Sequence, residues 1–219
     1  MKPRYIIGID EVGRTASKRR ASPRTKYIIG IDEVGRGCLA GPVAVAAVAV
    51  PAGMRIRNPR LGKLRDSKRL SPAKRREWAR FLTKKEGVRH AVARVYPKGI
   101  DRLNISRAAN RAAWRAFLRL CPDGTAESHP EILLDGGLYL KRKGHVPGAR
   151  TIVRGDEAVP AIQMASILAK VSRDGFMVKM ARRYPGYGFD VHKGYATRSH
   201  REALRKLGPT PIHRLTFLG

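Results

Sequence analysis

Cysteine, acidic residues and aromatic rings are all scarce in this chain of 219 residues. Its 2 cysteines, Cys38 and Cys121, form no C-x-x-C pair, which rules out a disulfide framework and a thiolate metal site and leaves reduced thiols in a cytoplasmic protein as the expectation. The 6 histidines offer no zinc spacing, because His192 and His200 lie well apart with no cysteine near either. No apolar run approaches the roughly 20 residues of a membrane span. Tyr5–Ile9 is too short for the apolar core of a secretory signal, so neither membrane insertion nor export is expected. The shortage of acids is the most telling: 17 Asp+Glu face 46 Lys+Arg, a formal net charge of +29. Such an excess calls for a polyanionic partner, with nucleic acid first, an anionic membrane surface second and ribosome association as the bland alternative. What is plentiful is apolar residue, 42% of the chain, enough to bury the core of one substantial domain.

The chain opens with a repeat. Tyr5–Arg14, Tyr-Ile-Ile-Gly-Ile-Asp-Glu-Val-Gly-Arg, recurs letter for letter as Tyr27–Arg36. Two copies are too few for a solenoid. After Arg14 the chain turns polar and basic; after Arg36 come Gly37 and a long apolar run. Only the second copy therefore leads into a foldable unit. Residues 1–26 are expected to be a basic, mobile N-terminal extension left by a local duplication, and residues 27–219 the folded domain. The rival is that the first copy competes for the strand slot of the second.

Residues 27–33 and 42–50 are apolar runs that predict a hairpin of buried strands, with Gly41-Pro42 before the second and Pro51-Ala-Gly53 after it. A basic loop leads to Asp66-Ser67-Lys68. Ser71-Pro72 then reads as N-cap and first position of a helix whose apolar face carries Trp78, Phe81 and Leu82. Residues 88–96 predict a third strand and Asn104–Leu120 a helix. Glu131–Asp135 and Arg150–Arg154 predict short strands, and 160–182 a long helix lined with small residues. A short basic helix over about 199–207 ends at Gly208-Pro209. Trp78 and Trp114 fall in helical patterns and are expected in the core.

Three segments deliver an acid at a strand end: Asp32 with Glu33, Asp135, and Asp156. Adjacent acids are usually solvated surface. Asp135 has a bland reading as a turn residue before Gly136-Gly137, and Asp156 as an N-cap for the helix near 160. If the strands are neighbours, however, the four carboxylates converge, repel one another and raise one another's pKa values. Divalent ions relieve that repulsion, and an oxygen-only ligand set suits Mg²⁺ or Mn²⁺. A pair of such ions serves phosphodiester hydrolysis, which also fits the basic chain. Alternation along a strand sends Asp32 and Glu33 to opposite faces, so they share a site only if the backbone turns or bulges there; Gly35 and Gly37 permit it. Asp174, beside Arg173, reads as a structural ion pair. His192 and Lys193 are candidate phosphate contacts.

Asp32-Glu33-Val-Gly-Arg36-Gly37 with Leu39-Ala-Gly-Pro42 resembles the opening motif of the ribonuclease HII family. The likeness continues through Asp66-Ser-Lys-Arg-Leu-Ser71, Asp135-Gly136, Arg154-Gly-Asp156, Ala165-Ser-Ile-Leu-Ala-Lys-Val-Ser-Arg-Asp174 and His192-Lys-Gly-Tyr195, and covers about residues 27–217. It implies an α/β, ribonuclease H-like fold with a central mixed sheet flanked by helices and a helical C-terminal part. It implies a monomeric, metal-dependent endonuclease that cuts RNA in RNA–DNA hybrid duplexes and at single ribonucleotides in duplex DNA, leaving 5′-phosphate and 3′-hydroxyl ends. Asp32, Glu33, Asp135 and Asp156 match the four metal-binding acids, expected to hold two Mg²⁺ or Mn²⁺ ions once substrate is bound. Gly35, Arg36 and Gly37 match the loop that senses the ribose 2′-hydroxyl, and Tyr195 the tyrosine that packs on the sugar at the RNA-to-DNA junction. The chain departs from the family pattern in the duplicated first copy, in Gly175, which is expected to loosen its helix, and in Thr216, where serine is common. The alternative from another class is a catalytically impaired basic nucleic-acid-binding protein.

Overall fold

The computed structural model describes residues 27–64, 67–121, 130–140, 146 and 148–219. The first copy of the repeat and Asp66 lie outside these residues. In chain order the elements are β1 (Tyr27–Val34), β2 (Val43–Pro51), the small hairpin β3 (Arg57–Asn58) and β4 (Gly62–Lys63), α1 (Pro72–Lys84), β5 (Arg89–Val95), α2 (Pro97–Leu103), α3 (Ile105–Leu120), β6 (Glu131–Asp135), β7 (Ala149–Ile152), α4 (Gly155–Ala158), α5 (Pro160–Arg183), α6 (Phe189–His192) and α7 (Arg198–Leu207).

One mixed sheet of order β5-β2-β1-β6-β7 organises them. β1 pairs antiparallel with β2 and β2 with β5, so the expected hairpin and third strand are both present. β1 then pairs parallel with β6, and β6 with β7. The connection from β1 to the parallel strand β6 carries α1, α2 and α3, and helices cover both faces of the sheet. That is why β2 reads as an unbroken apolar run: every residue from Val43 to Val50 is buried, with a helical layer on each side.

The strand alternation sorts the core into two layers. Ile29, Ile31, Val45 and Ala47 face α3, whose inward stripe is Ala108, Ala109, Ala112, Ala116 and Phe117. Ala46, Val48 and Val50 face α1 and α5, where Trp78, Leu82, Ile167 and Leu168 fill the space. Trp78 lies in the core as the helical pattern predicts, whereas Trp114 is only partly buried at the margin of the first layer. The close approach of α5 to the sheet depends on Gly30: a Cβ there would lie 2.1 Å from the Ala161 carbonyl carbon. A third, smaller cluster of Ala40, Met177, Tyr187, Phe189 and Ile212 joins the C-terminal part to the far end of α5.

Several local expectations are corrected. α2 was not anticipated, although Pro97 occupies its first turn, because its seven residues are too few to show a helical period. The strand expected over Arg150–Arg154 ends at Ile152, and Arg154 adopts a left-handed conformation (φ 53°) that turns the chain into α4. Asp156 therefore lies inside that single turn and is not the N-cap of α5, a position held by Val159. Gly175 does not interrupt α5, which continues to Arg183, and a Cβ at that position would meet open space. Thr216 does a small hydroxyl's work by donating to Asp101 Oδ1 at 2.6 Å.

Candidate active site

The acids are gathered by the parallel pairing of β1 and β6. The last paired residues are Ile31 and Leu134, so Asp32 and Asp135 stand side by side one residue further on. Asp156 arrives from the next connection: its backbone N–H donates to Asp135 Oδ1 at 3.2 Å, and Gly155 N–H donates to the same carboxylate. Asp32 and Asp156 are each only 4% exposed. No bulge brings Glu33 round to join them. β1 stays in register with β2 through Val34–Ala44, so Asp32 faces α5 and Glu33 faces α3. The two acids adjacent in sequence thus straddle the end of the sheet, and Asp135 acts electrostatically on both.

Burial lifts the Asp32 carboxyl well above the ordinary aspartate range, and the neighbouring Glu33 and Asp135 charges push it further; the Ser166 hydroxyl and the Glu33 N–H pull it back. Burial likewise raises Glu33 and Asp135. Two cations offset part of the cost. Arg36 donates to Glu33 Oε1 at 3.3 Å and to Ser106 Oγ on α3, and Lys68 pairs with Asp156 Oδ2 at 2.8 Å. Glu33 Oε2 nevertheless remains buried with no hydrogen-bond partner among the described residues. With the outer acids drawn to Arg36 and Lys68, no three His, Cys, Asp or Glu side chains among the described residues stand together as a ready-made metal cluster. The donor set still fits a hard divalent cation: it is all carboxylate oxygen, crowded and desolvated, and one buried oxygen has its bonding unmet.

The other residues of interest line the turn after β1 and the segment that meets it. Gly35 (φ 88°) lies so close to Arg173 that a Cβ would approach its Nε to 2.2 Å; any side chain would both strain the turn and displace the guanidinium. Gly37 has open space where a Cβ would point. Tyr195, 39% exposed, is laced to the same turn: it bridges to Cys38, and Leu39 N–H donates to Gly194 O at 2.9 Å. Its ring lies 5.7 Å from the Arg173 guanidinium and 5.8 Å from Lys170 Nζ. His192 is buried, with Nε2 bonded to the Tyr187 carbonyl and Nδ1 accepting from Gly194 N–H, so both ring nitrogens serve the fold and neither faces a phosphate. Lys193 folds its ammonium onto the Asp190 carbonyl.

The sequence reading missed the residues that hold this arrangement together. Arg214 donates to the carbonyls of Gly35, Arg36 and Gly41, and Arg173 to those of Ala40, Pro42 and Lys193. Arg173 is thus not the partner of Asp174, which pairs instead with Lys170 and Arg75. Ser67 and Ser166 bond at 2.8 Å behind Asp32. Among 46 cations, no local signal marks two buried arginines; their partners are backbone carbonyls, which sequence does not distinguish.

The family model described as Ribonuclease HII matches residues 29–218, beginning inside the second copy of the repeat. The chain belongs to the ribonuclease HII family. The enzyme is 44% identical over 230 residues to the ribonuclease HII of Nitratidesulfovibrio vulgaris, an alignment that covers 99% of this chain and 87% of that relative. Among solved structures it resembles the RNase HII of Archaeoglobus fulgidus in complex with PCNA, with TM-score 0.64, 28% identity, and 85% and 93% of the two chains covered. It has the fold of a Bst-RNase HIII crystallised with Mn²⁺, with TM-score 0.66 at 21% identity over 94% of this chain and 74% of that one. The ribonuclease H-like architecture and the assignment as an endoribonuclease hydrolase are thereby established.

Proposed function

We propose that this ribonuclease HII hydrolyses the RNA strand of RNA–DNA hybrids and cuts at single ribonucleotides embedded in duplex DNA, in a reaction that depends on Mg²⁺ or Mn²⁺ and leaves 5′-phosphate and 3′-hydroxyl ends. It works as a cytoplasmic monomer. No helix among the described residues is long and apolar enough to cross a membrane. What supports the reading most is one juxtaposition: buried carboxylates with unmet demand for cation lie at the end of β1, and the next turn of the same chain is bound to Tyr195.

Asp32, Glu33, Asp135 and Asp156 would hold the ions. When bound, these supply activation of the attacking water and stabilisation of the departing 3′-oxygen. The protein's own groups do the rest. The carbonyls of Gly35 and Arg36 are turned to Arg214, so the turn meets a ribose with its N–H groups and the Arg36 side chain. The 2′-hydroxyl is both donor and acceptor, and reading it is how RNA is told from DNA at one site. Tyr195 presents its half-exposed ring to the sugar on the DNA side of the junction. The +29 chain holds the phosphates and makes binding salt-dependent.

The test is cleavage of a duplex carrying one ribonucleotide, with and without Mg²⁺ or Mn²⁺, together with ligation of the products to establish their ends. Asp135→Asn is expected to drop cleavage below detection while duplex binding stays nearly intact. Normal cleavage by that variant would overturn the site. A wild-type protein that binds the duplex and never nicks it would instead be the impaired nucleic-acid binder.

A further inference from the structure

We propose that His200 and His213 form a neutral, directional relay that sets the position of Tyr195, acting as positioning residues for the recognition of the RNA-to-DNA junction. The proposal rests on the reading of Tyr195 as the residue that meets the sugar.

Tyr195 belongs to no helix or strand. It lies between α6 and α7, held by its single bridge to Cys38 and by bonds to its own backbone. Its N–H donates to His192 O at 3.0 Å, and its carbonyl accepts from Thr197 N–H and from His200 Nδ1, both at 2.8 Å. The His200 bond continues inward: His200 Nε2 lies 3.1 Å from His213 Nε2, and His213 Nδ1 accepts from Thr210 N–H at 2.8 Å.

The far end of this chain fixes every proton in it. A backbone N–H can only donate, so His213 Nδ1 is unprotonated and the single proton of a neutral imidazole is on Nε2. His213 Nε2–H then donates to His200 Nε2, which forces the His200 proton onto Nδ1, where it meets the Tyr195 carbonyl. His192 is assigned in the same way: Gly194 N–H donates to Nδ1, and Nε2–H donates to the Tyr187 carbonyl. His192 stacks on His200 with centroids 4.3 Å apart, and Phe189 packs edge-on against both rings.

Burial favours the neutral form of His200 and His213. The charged or titratable groups that act on these two are Arg201 and the other histidines, and burial holds His200 below its ordinary value and His213 at about 4. His213 also precedes Arg214, which grips the Gly35–Arg36 turn. The adjacent residues His213 and Arg214 thus bear on both partners of the expected ribose contact, the arginine directly on the turn and His213 on Tyr195 through His200 of α7.

The experiment compares cleavage at a single ribonucleotide in DNA with cleavage of a continuous RNA–DNA hybrid, for Tyr195→Ala, His200→Phe, His200→Asn and the double variant Tyr195→Ala/His200→Phe. Phenylalanine keeps the flat ring without the donor, and asparagine keeps a donor at the Nδ1 position. His200→Phe is expected to lower the ratio of single-site to hybrid cleavage about tenfold, the scale of a small misplacement of a contact group. His200→Asn should restore most of it, and His200→Phe should add nothing once Tyr195 is alanine. In the wild-type protein, ¹⁵N spectra of labelled histidine should show His200 protonated on Nδ1, and His192 and His213 on Nε2.

A reduced ratio for Tyr195→Ala beside an unchanged ratio for a folded His200→Phe would overturn the relay alone, as would additive effects in the double variant. A His200 proton on Nε2 would overturn it too. An unchanged ratio for Tyr195→Ala would overturn the reading of Tyr195 and the proposal with it. Should His200→Phe fail to fold, His200→Asn and the ¹⁵N spectrum decide.

Discussion

The two buried polar regions of the molecule are built on opposite terms. At the end of β1 and β6, carboxylates are buried beside one another, burial and repulsion raise the pKa values of Asp32 and Glu33, and Glu33 Oε2 has no hydrogen-bond partner among the described residues. Some distance along the chain, Arg173 and Arg214 are 0% exposed, and each spends its guanidinium on three backbone carbonyls. Among the described residues, neither arginine forms an ion pair with a carboxylate. Buried polar groups whose bonds are met within the chain are architecture. Those whose bonds are not met carry a cost that something from outside must relieve. The arginine region therefore reads as scaffold and the acid region as a receptor, although both are charged, buried and adjacent to the same turn.

The contrast can be broken most forcefully on the scaffold side. Arg214→Met strands the carbonyls of Gly35, Arg36 and Gly41, each worth about 1–3 kcal/mol when buried without a donor. A loss of at least about 3 kcal/mol is expected, which at about 2–4 °C per kcal/mol lowers Tm by roughly 10 °C. Arg214→Lys should recover only part, because an ammonium cannot fan three donors across three carbonyls. Calorimetry of both variants checks this.

On the receptor side the sign reverses. Asp32→Asn removes a charge the metal-free protein tolerates poorly, so in EDTA it should raise Tm by about 2–4 °C, while abolishing most of the increment that Mg²⁺ or Mn²⁺ gives the wild type. The pH dependence follows from the raised pKa. Between the ordinary aspartate value and the raised one, the folded state holds more protons than the unfolded state, so stability falls as pH rises through that window. The advantage of Asp32→Asn should accordingly shrink as pH falls from neutrality. His213 acts in the opposite sense: its folded value of about 4 lies below the ordinary 6.5, and its contribution is lost as pH falls between the two.

Smaller effects sharpen the comparison from outside both regions. Glu202→Gln, which breaks the exposed pair with Arg198 on α7, should change stability by no more than about 0.5 kcal/mol in chemical denaturation. Deleting residues 1–22 should leave single-ribonucleotide cleavage unchanged or improved, since the second copy supplies β1 intact. A large loss would show that the first copy has a structural part.

Much of the sheet was legible because its signals are local. Val43–Val50 could only be a strand covered on both faces, and Ser71-Pro72 starts α1 as a cap and first-turn proline should, with the Ser71 side chain accepting from Lys74 N–H. Asp32 and Asp135 were legible as acids at the ends of apolar strands, whereas Asp156 lies beyond its strand, inside α4. The sequence was less informative about their arrangement: nothing local says that β1 lacks a bulge, that Glu33 is left on the α3 face, or that Lys68 reaches Asp156. His192 looked like a phosphate contact from its place in a motif, yet the αL turn at Lys193 brings Gly194 N–H back onto its ring and commits it to the fold.

By itself, then, the chain determined its strands and long helices, its family and its acids, because periodicity, capping and motif order are written in neighbouring residues. Tertiary structure alone decided which charges are met and which are not. That depends on the carbonyls and cations that come within bonding distance only after β6 docks beside β1 and the tail from Thr210 to Arg214 closes over the turn at Gly35.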